Sequence, residues 1–245
     1  MSAPPLRRAI VLAAGFGERM RPLTLATPKP LLAVGGKPLI VHHLEKLAAA
    51  GIREVAINVC WLKQQFPDAL GDGSAFGVSI RYYDEGDAPL EVAGGIRNAL
   101  GFFDGEPFAV VNGDVYTDRP LALTAPAPGL LGHLVLVPNP AQHPHGDFGL
   151  ECGEVRTEGP RRYTYAGLAS FAPALFDGLP RGRASLKPLL MRALRAGRLS
   201  GEVHGGVWSD VGTPERLDEL NRRLAATAGD GGATLAADQD GNGAT

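Results

Sequence analysis

After a short leader the chain enters an apolar run, Ala9 to Ala14, that contains no polar residue and stops at Gly15. A short run that is apolar on both faces is the pattern of a strand buried inside a parallel sheet. The pattern recurs at Glu54–Cys60, which alternates and then turns apolar, at Val78–Tyr83, and at Phe108–Val111. Between these runs the period lengthens to that of a helix. Ile40, Leu44 and Leu47 share one face, with Pro38 where a helix begins and Gly51 where it stops. Trp61–Leu70 is helical but limited by Pro67, and Gly94–Phe102 predicts another short helix. Strands alternating with helices at this spacing predict an α/β fold with a doubly wound, mostly parallel sheet.

Past Asp118 the pattern changes. Thr124–Pro128 reads as a linker or loop, His133–Val137 as a strand, Phe148–Glu158 as a hairpin around Gly153, and Tyr163–Phe171 as another strand. Ser185–Ala196 predicts a helix stopped by Gly197, and Gly201–Val211 holds strand material. Thr213-Pro214 supplies an N-cap and first-turn proline for a last helix to about Leu224. No repeat is visible. The expectation is one domain over residues 1–224, with a nucleotide half to about Asp118 and a sugar half on the same sheet. Met1–Leu6 is expected to be loose, and the small, polar, glycine-rich 225–245 to be a disordered tail.

Composition narrows the partners. Across 245 residues, 44% are hydrophobic, enough for a sizeable core, and 24 Lys plus Arg against 26 Asp plus Glu leave a net charge of −2. That balance argues against nucleic acid or an anionic membrane as the main partner. Cys60 and Cys152 are too few for a disulfide framework and lack metal-ligand spacing, so a reduced cytoplasmic setting is expected. Arg7-Arg8 before the first apolar run imitates a signal peptide, but the run is too short and charges follow at once. No stretch is long and apolar enough to span a bilayer.

The chemistry is concentrated after the first strand. Gly15 and Gly17 allow a sharp turn whose backbone N–H groups can cradle an anion, and Arg19, Arg21 and Lys29 follow on a loop stiffened by Pro22, Pro28 and Pro30. This is not the dinucleotide fingerprint, which needs a third glycine, nor a P-loop, which needs Gly-Lys before Ser or Thr. It remains a site for a polyphosphate. From Gly15 to Lys29 the chain reads Gly-x-Gly-x-Arg-x-x-Pro-Leu-Thr-x-x-x-Pro-Lys. That long pattern resembles the signature of the sugar-1-phosphate nucleotidyltransferases. The resemblance implies that the turn, through Leu12, Ala13, Ala14, Gly15, Gly17 and Glu18, wraps a nucleoside triphosphate. It also implies that Arg19 and Lys29 carry the catalytic charges.

Further motifs follow in the family order. Asn112-Gly113-Asp114 closes the fourth strand at the sheet edge where ligands of open parallel sheets bind. A carboxylate there would repel a triphosphate unless a cation lay between them, so Asp114 is expected to hold Mg2+, with Asn112 at the nucleotide. A plain turn is the simpler reading of the same residues. Trp208-Ser209-Asp210-Val211-Gly212-Thr213 resembles the stretch that carries the family's second metal carboxylate, Asp210; an acid near a helix N-terminus is favourable by itself. Asp118 is a weaker candidate. Pro89–Gly95 is similar to the stretch that frames the nucleobase, with Glu91 and Gly94 as candidates and Val92 where relatives usually have threonine. Asp147 is expected to meet sugar hydroxyls, with Tyr165 and Gly167 forming another wall. His143 and His145 lack zinc-site spacing, and Asp238, Asp240, Asn242 and Gly243 imitate an EF-hand loop without its closing Glu.

The wording of Gly17–Lys29, of Trp61 to Gly77, of Pro89–Gly95, of Gly146–Phe148 and of Pro188-Leu189-Leu190 is closest to the branch of the family that joins UTP to N-acetylmuramic acid 1-phosphate in cell-wall recycling. A sister enzyme making a GDP- or dTDP-sugar stays open, as does a catalytically silent nucleotide-sugar sensor. The oligomeric state is not legible.

Overall fold

The computed structural model describes residues 5–233. In chain order the first part comprises β1 (Arg8–Leu12), α1 (Leu23–Ala26), a hairpin of β2 (Ala33–Val34) and β3 (Lys37–Pro38), α2 (Leu39–Ala49), β4 (Glu54–Val59), α3 (Gln65–Leu70), β5 (Ser79–Asp84), α4 (Glu91–Ala99), β6 (Phe108–Asn112) and β7 (Val115–Thr117). The second comprises β8 (Gly132–Val137), β9 (Phe148–Glu151), β10 (Glu154–Arg156), β11 (Arg162–Phe171), α5 (Lys187–Arg195), β12 (Leu199–Val203), β13 (Trp208–Asp210) and α6 (Pro214–Ala233).

One nine-stranded sheet runs through both halves in the order β5-β4-β1-β6-β11-β8-β12-β10-β9. Strands β5, β4, β1 and β6 are parallel. Their continuous apolar character follows from coverage on both faces. Ala9 and Val11 join Ile40, Leu44, Leu47, Phe66 and Leu70 on the side of α2 and α3. Ile10, between them, joins Ala93, Ile96, Leu189 and Leu190 on the side of α4 and α5. The doubly wound expectation therefore holds. The second half is more mixed: β11 runs antiparallel between β6 and β8, and β10 is antiparallel to β12, although β12 is parallel to β8.

Both ends of the domain are tied down. Pro5 bridges Thr124 and Leu6 is buried, so the described part of the leader is anchored; residues 1–4 lie outside the described residues. The last helix runs to Ala233, past the boundary expected at Leu224, so 225–233 are not a tail. Small residues did not end it, because alanine is the best helix former. The rest of the expected tail, with its EF-hand-like acids, lies outside the described residues.

Helix α6 returns to the N-terminal half. Leu217 and Leu220 pack with Met20, Leu32, Val34, Leu39 and Val211 in a third apolar cluster beneath the loop after β1. Asn221 accepts from the Gly35 N–H at 2.8 Å. This packing joins α6 to the N-terminal half and supports the signature loop from behind. Leu220→Ala should cost about 2–5 kcal/mol in urea unfolding, as for other buried leucines. Leu25→Ala, at an exposed position of α1, should stay within about 0.5 kcal/mol of the parent.

Candidate active site

The loop after β1 is built around Gly17. Its φ of +65° is left-handed, and a Cβ there would stand 2.8 Å from Thr24 Cγ2. Its carbonyl accepts from the Met20 N–H and the Thr24 hydroxyl, both at 2.8 Å. Gly15 was expected to share this need, but its φ is ordinary and a Cβ would meet nothing within 4 Å. Its bareness instead leaves open space in a cavity of about 540 Å³. Leu12, Ala13, Ala14, Gly15, Gly17, Glu18, Arg19, Lys29, Glu91, Asn112 and Asp114 all line that cavity. The sequence-predicted polyphosphate loop, the two cations and the acid after β6 are thus brought to one place.

The two cations differ. Arg19 is exposed and makes no ion pair among the described residues. Lys29 is buried between Pro28 and Pro30, and its Nζ donates to Asp114 Oδ2 at 2.8 Å. That contact ties the loop after β1 to the end of β6. An ammonium has three N–H donors, so Lys29 keeps capacity for a phosphate.

One wall was not legible in the sequence. Asn58, at the end of β4, accepts from the Ala13 N–H at 2.8 Å and donates to Glu85 Oε1 at 2.7 Å. The other Glu85 oxygen accepts from the Leu90 N–H at 2.7 Å. Both side chains are buried, and burial pushes the Glu85 carboxyl above its ordinary value although its two hydrogen bonds oppose the shift. A Cβ on Gly95 would stand 2.5 Å from Glu85 Oε1, so this neighbouring glycine makes room for the network. The available signal was an asparagine in the apolar run that follows Glu54 in β4. Val92 lines the cavity as an apolar surface, and Glu91 holds φ +60° while accepting from Arg183 Nε at 2.8 Å.

Gly94 does not line the cavity. A Cβ there would meet the Gly182 carbonyl at 2.3 Å, and its N–H donates to Ala184 O. Its bareness serves the packing of the 182–184 loop on α4, which corrects the expectation of a nucleotide contact.

Asp114 and Asp210 come together through a small ribbon. β13 pairs with β7 with Asp210 opposite Val115, and the Val211 N–H donates to Asp114 O at 2.9 Å. Asp210 therefore ends a strand of this ribbon and not one of the main sheet. Asp114 lines the cavity, whereas the Asp210 carboxylate sits in an adjoining groove, held by Arg216 and by Gln142 Nε2 at 2.7 Å. Two carboxylates from neighbouring strands fit the oxygen donor set of a hard divalent cation, leaving positions for water and phosphate. Among the described residues no third His, Cys, Asp or Glu joins them. Asp118 lies at the far end of the ribbon, paired with His204 at 2.8 Å.

The three sugar candidates gather at a bulge in β11, between Tyr165 and Leu168. Gly167 has φ +74°, and a Cβ there would meet Asn112 Nδ2 at 2.8 Å, which places the bulge against the cavity wall. Asp147 accepts from the Tyr165 N–H at 2.8 Å and pairs with His143 at 3.1 Å. None of the three lines the main cavity. The Tyr165 hydroxyl is buried without a partner, and burial pushes its pKa up.

Asn58→Ala should leave Glu85 and the Ala13 N–H short of a partner and cost about 1–3 kcal/mol in urea unfolding. Nucleotide binding, measured by calorimetry, should weaken with it.

Comparisons with known proteins bear on these residues. The Nucleotidyl transferase family profile matches residues 8–128. The chain is 49% identical to N-acetylmuramate alpha-1-phosphate uridylyltransferase of Neisseria meningitidis over 89% of its own length and 99% of that protein. It is 34% identical to mannose-1-phosphate guanylyltransferase of Mycobacterium tuberculosis, over 84% of this chain and 61% of that one. The crystal structure of HddC from Yersinia pseudotuberculosis complexed with GMP-PN superposes with a TM-score of 0.71 at 18% identity, covering 89% of this chain and all of the other, a likeness of fold. With the signature loop, both cations and Asp114 at one cavity and Asp210 in the adjoining groove, the chain belongs to the sugar-1-phosphate nucleotidyltransferases.

Proposed function

We propose that this enzyme transfers a uridylyl group from UTP to N-acetylmuramic acid 1-phosphate, releasing pyrophosphate and forming the nucleotide-sugar used in peptidoglycan recycling. The observation that carries the reading is the 49% identity to a uridylyltransferase of that specificity across nearly its whole length. A reaction fed by a nucleoside triphosphate belongs in the cytoplasm, and no helix among the described residues is long and apolar enough to cross a membrane.

The residues supply positioning and charge. A sugar-phosphate oxygen attacks the α-phosphorus, and pyrophosphate leaves. Backbone from Leu12 to Glu18 holds the triphosphate, while Arg19, without an ion-pair partner among the described residues, stabilises charge growing toward the β/γ end. Lys29, fixed by Asp114, holds the two reacting phosphates together. Asn58, Glu85 and Val92 shape the base side. Asp147, Tyr165 and Gly167 orient the sugar at the β11 bulge. Asp114 and Asp210 would hold Mg2+, which when bound neutralises phosphate oxygens. No covalent nucleophile is required.

A second reading, guanylyl transfer to mannose 1-phosphate, is favoured by the similarity to the mycobacterial guanylyltransferase. A silent sensor would not need two cations and an acid at the cavity with a second acid in the groove beside it. Pyrophosphate release should be measured across nucleoside triphosphates and sugar 1-phosphates, with and without magnesium. UTP with N-acetylmuramic acid 1-phosphate should be the fastest pair; faster turnover with GTP and mannose 1-phosphate would move the enzyme to the second reading. Arg19→Ala and Lys29→Ala should each lower turnover about a hundredfold or more, the usual loss for one such donor. Near-normal turnover of Arg19→Ala would overturn its catalytic role.

A further inference from the structure

Asp210 has its charge answered within the protein. Arg216 Nη1 pairs with Oδ2, and the same nitrogen lies 3.4 Å from the Asp210 carbonyl oxygen. Gln142 Nε2 donates to Oδ1 at 2.7 Å, so both carboxylate oxygens are engaged. The Arg216 backbone is also fixed, with its N–H 3.4 Å from the Thr213 hydroxyl in the first turn of α6. A cation in a first helical turn opposes the helix dipole, so Arg216 is not there for the helix. Its guanidinium lies against Gly212, where a Cβ would stand 2.9–3.0 Å from Cζ and both terminal nitrogens. Gly212 itself lines the nucleotide cavity. Only a bare glycine therefore stands between this cation and the phosphate site.

We propose that Arg216 is a resident counter-ion of Asp210: it occupies this carboxylate in the metal-free enzyme, competes with a divalent cation for it, and passes to a phosphate oxygen when nucleotide binds. The inference rests on the reading that Asp114 and Asp210 form the metal site. Lys29 answers Asp114 in the same way, at 2.8 Å. A divalent ion arriving alone must displace guanidinium from Asp210 and then share the site with Arg19, Lys29 and the released Arg216. A triphosphate reverses that balance, because the freed cations gain phosphate oxygens as partners. Arg216 thus makes productive metal binding depend on nucleotide, and it is a positioning residue for the metal carboxylate.

The test needs no turnover. Mn2+ is titrated into nucleotide-free protein, and free Mn2+ is read from its electron paramagnetic resonance signal. Arg216→Gln removes the competing charge. Gly212→Ala keeps every charge but places a methyl group where the guanidinium now packs, and an alanine is unstrained there because the φ of Gly212 is ordinary. Each variant should bind Mn2+ about fivefold more tightly than the parent, the scale of losing a partly exposed ion pair. Adding Asp210→Asn to Arg216→Gln should abolish the gain. Arg222→Gln, which removes an exposed cation of the same helix paired with Glu219, should change nothing. Unchanged or weaker Mn2+ binding in both Arg216→Gln and Gly212→Ala, with Asp210→Asn weaker than the parent, would overturn the counter-ion role and leave the metal site standing. Equal binding in the parent, Asp114→Asn and Asp210→Asn would remove the metal site, and the proposal with it.

Discussion

A loop rich in cations has to be held at the edge of a sheet without losing those cations to the interior. The ion pair between Lys29 and Asp114 meets that constraint. It joins the loop that follows β1 to the residue that follows β6, two neighbouring parallel strands. Lys29 is buried and would be costly without a partner, while Asp114 beside a phosphate cavity would be badly placed without a cation. Each makes the position of the other tenable. With this pair in place, Arg19 stands at the cavity without an ion pair among the described residues, and the ribbon of β7 and β13 begins just after Asp114, with Asp210 opposite Val115.

The same economy recurs around the cavity. Asn58 and Glu85 form a buried polar pair whose three hydrogen bonds fix the end of β1, the end of β4 and the entry to α4. Such a network specifies one arrangement because every broken contact would leave a buried group unpaired. Behind the loop, α6 fills the apolar space beneath Met20 and Leu32. The signature loop is therefore held by an ion pair at one end, a hydrogen-bonded wall beside it and a helix from the C-terminal half.

The region around the β11 bulge has looser geometry. The Asp147 carboxylate accepts from the Tyr165 N–H, and Gly167 lies against Asn112 in the wall of the cavity. Antiparallel β11 carries all this, because reversing one strand beside β6 places its bulge at the carboxyl end of the parallel strands. The extra residue of a bulge re-aims side chains locally, which suits a strand that must meet a ligand.

How much could be read without the structure follows from the range of the forces involved. The parallel core, α2, the fourth strand and the signature loop were legible, because periodicity, proline and glycine act over a few residues. The meeting of Arg19, Lys29 and Asp114 was legible from a motif order that the strand ends convert into proximity. Other features depended on contacts between distant segments. Gly94 looked like a ligand-binding glycine, but Gly182 decides its role from 88 positions away, a separation visible only in the packed fold. Gly15 and Gly17 look alike in the sequence, and Thr24 packing over one alone separates them. Asn58 stands out among its apolar neighbours, but nothing local names Glu85 as its partner, since a buried polar pair is defined by both members. The extension of α6 to Ala233 is not legible locally, because its glycines disfavour a helix while its alanines favour one. The sequence by itself determined the secondary elements, the fold class and the charges of the site. The tertiary structure alone decided which carboxylate meets which cation, because that pairing joins residues whose spacing along the chain holds no information about their distance.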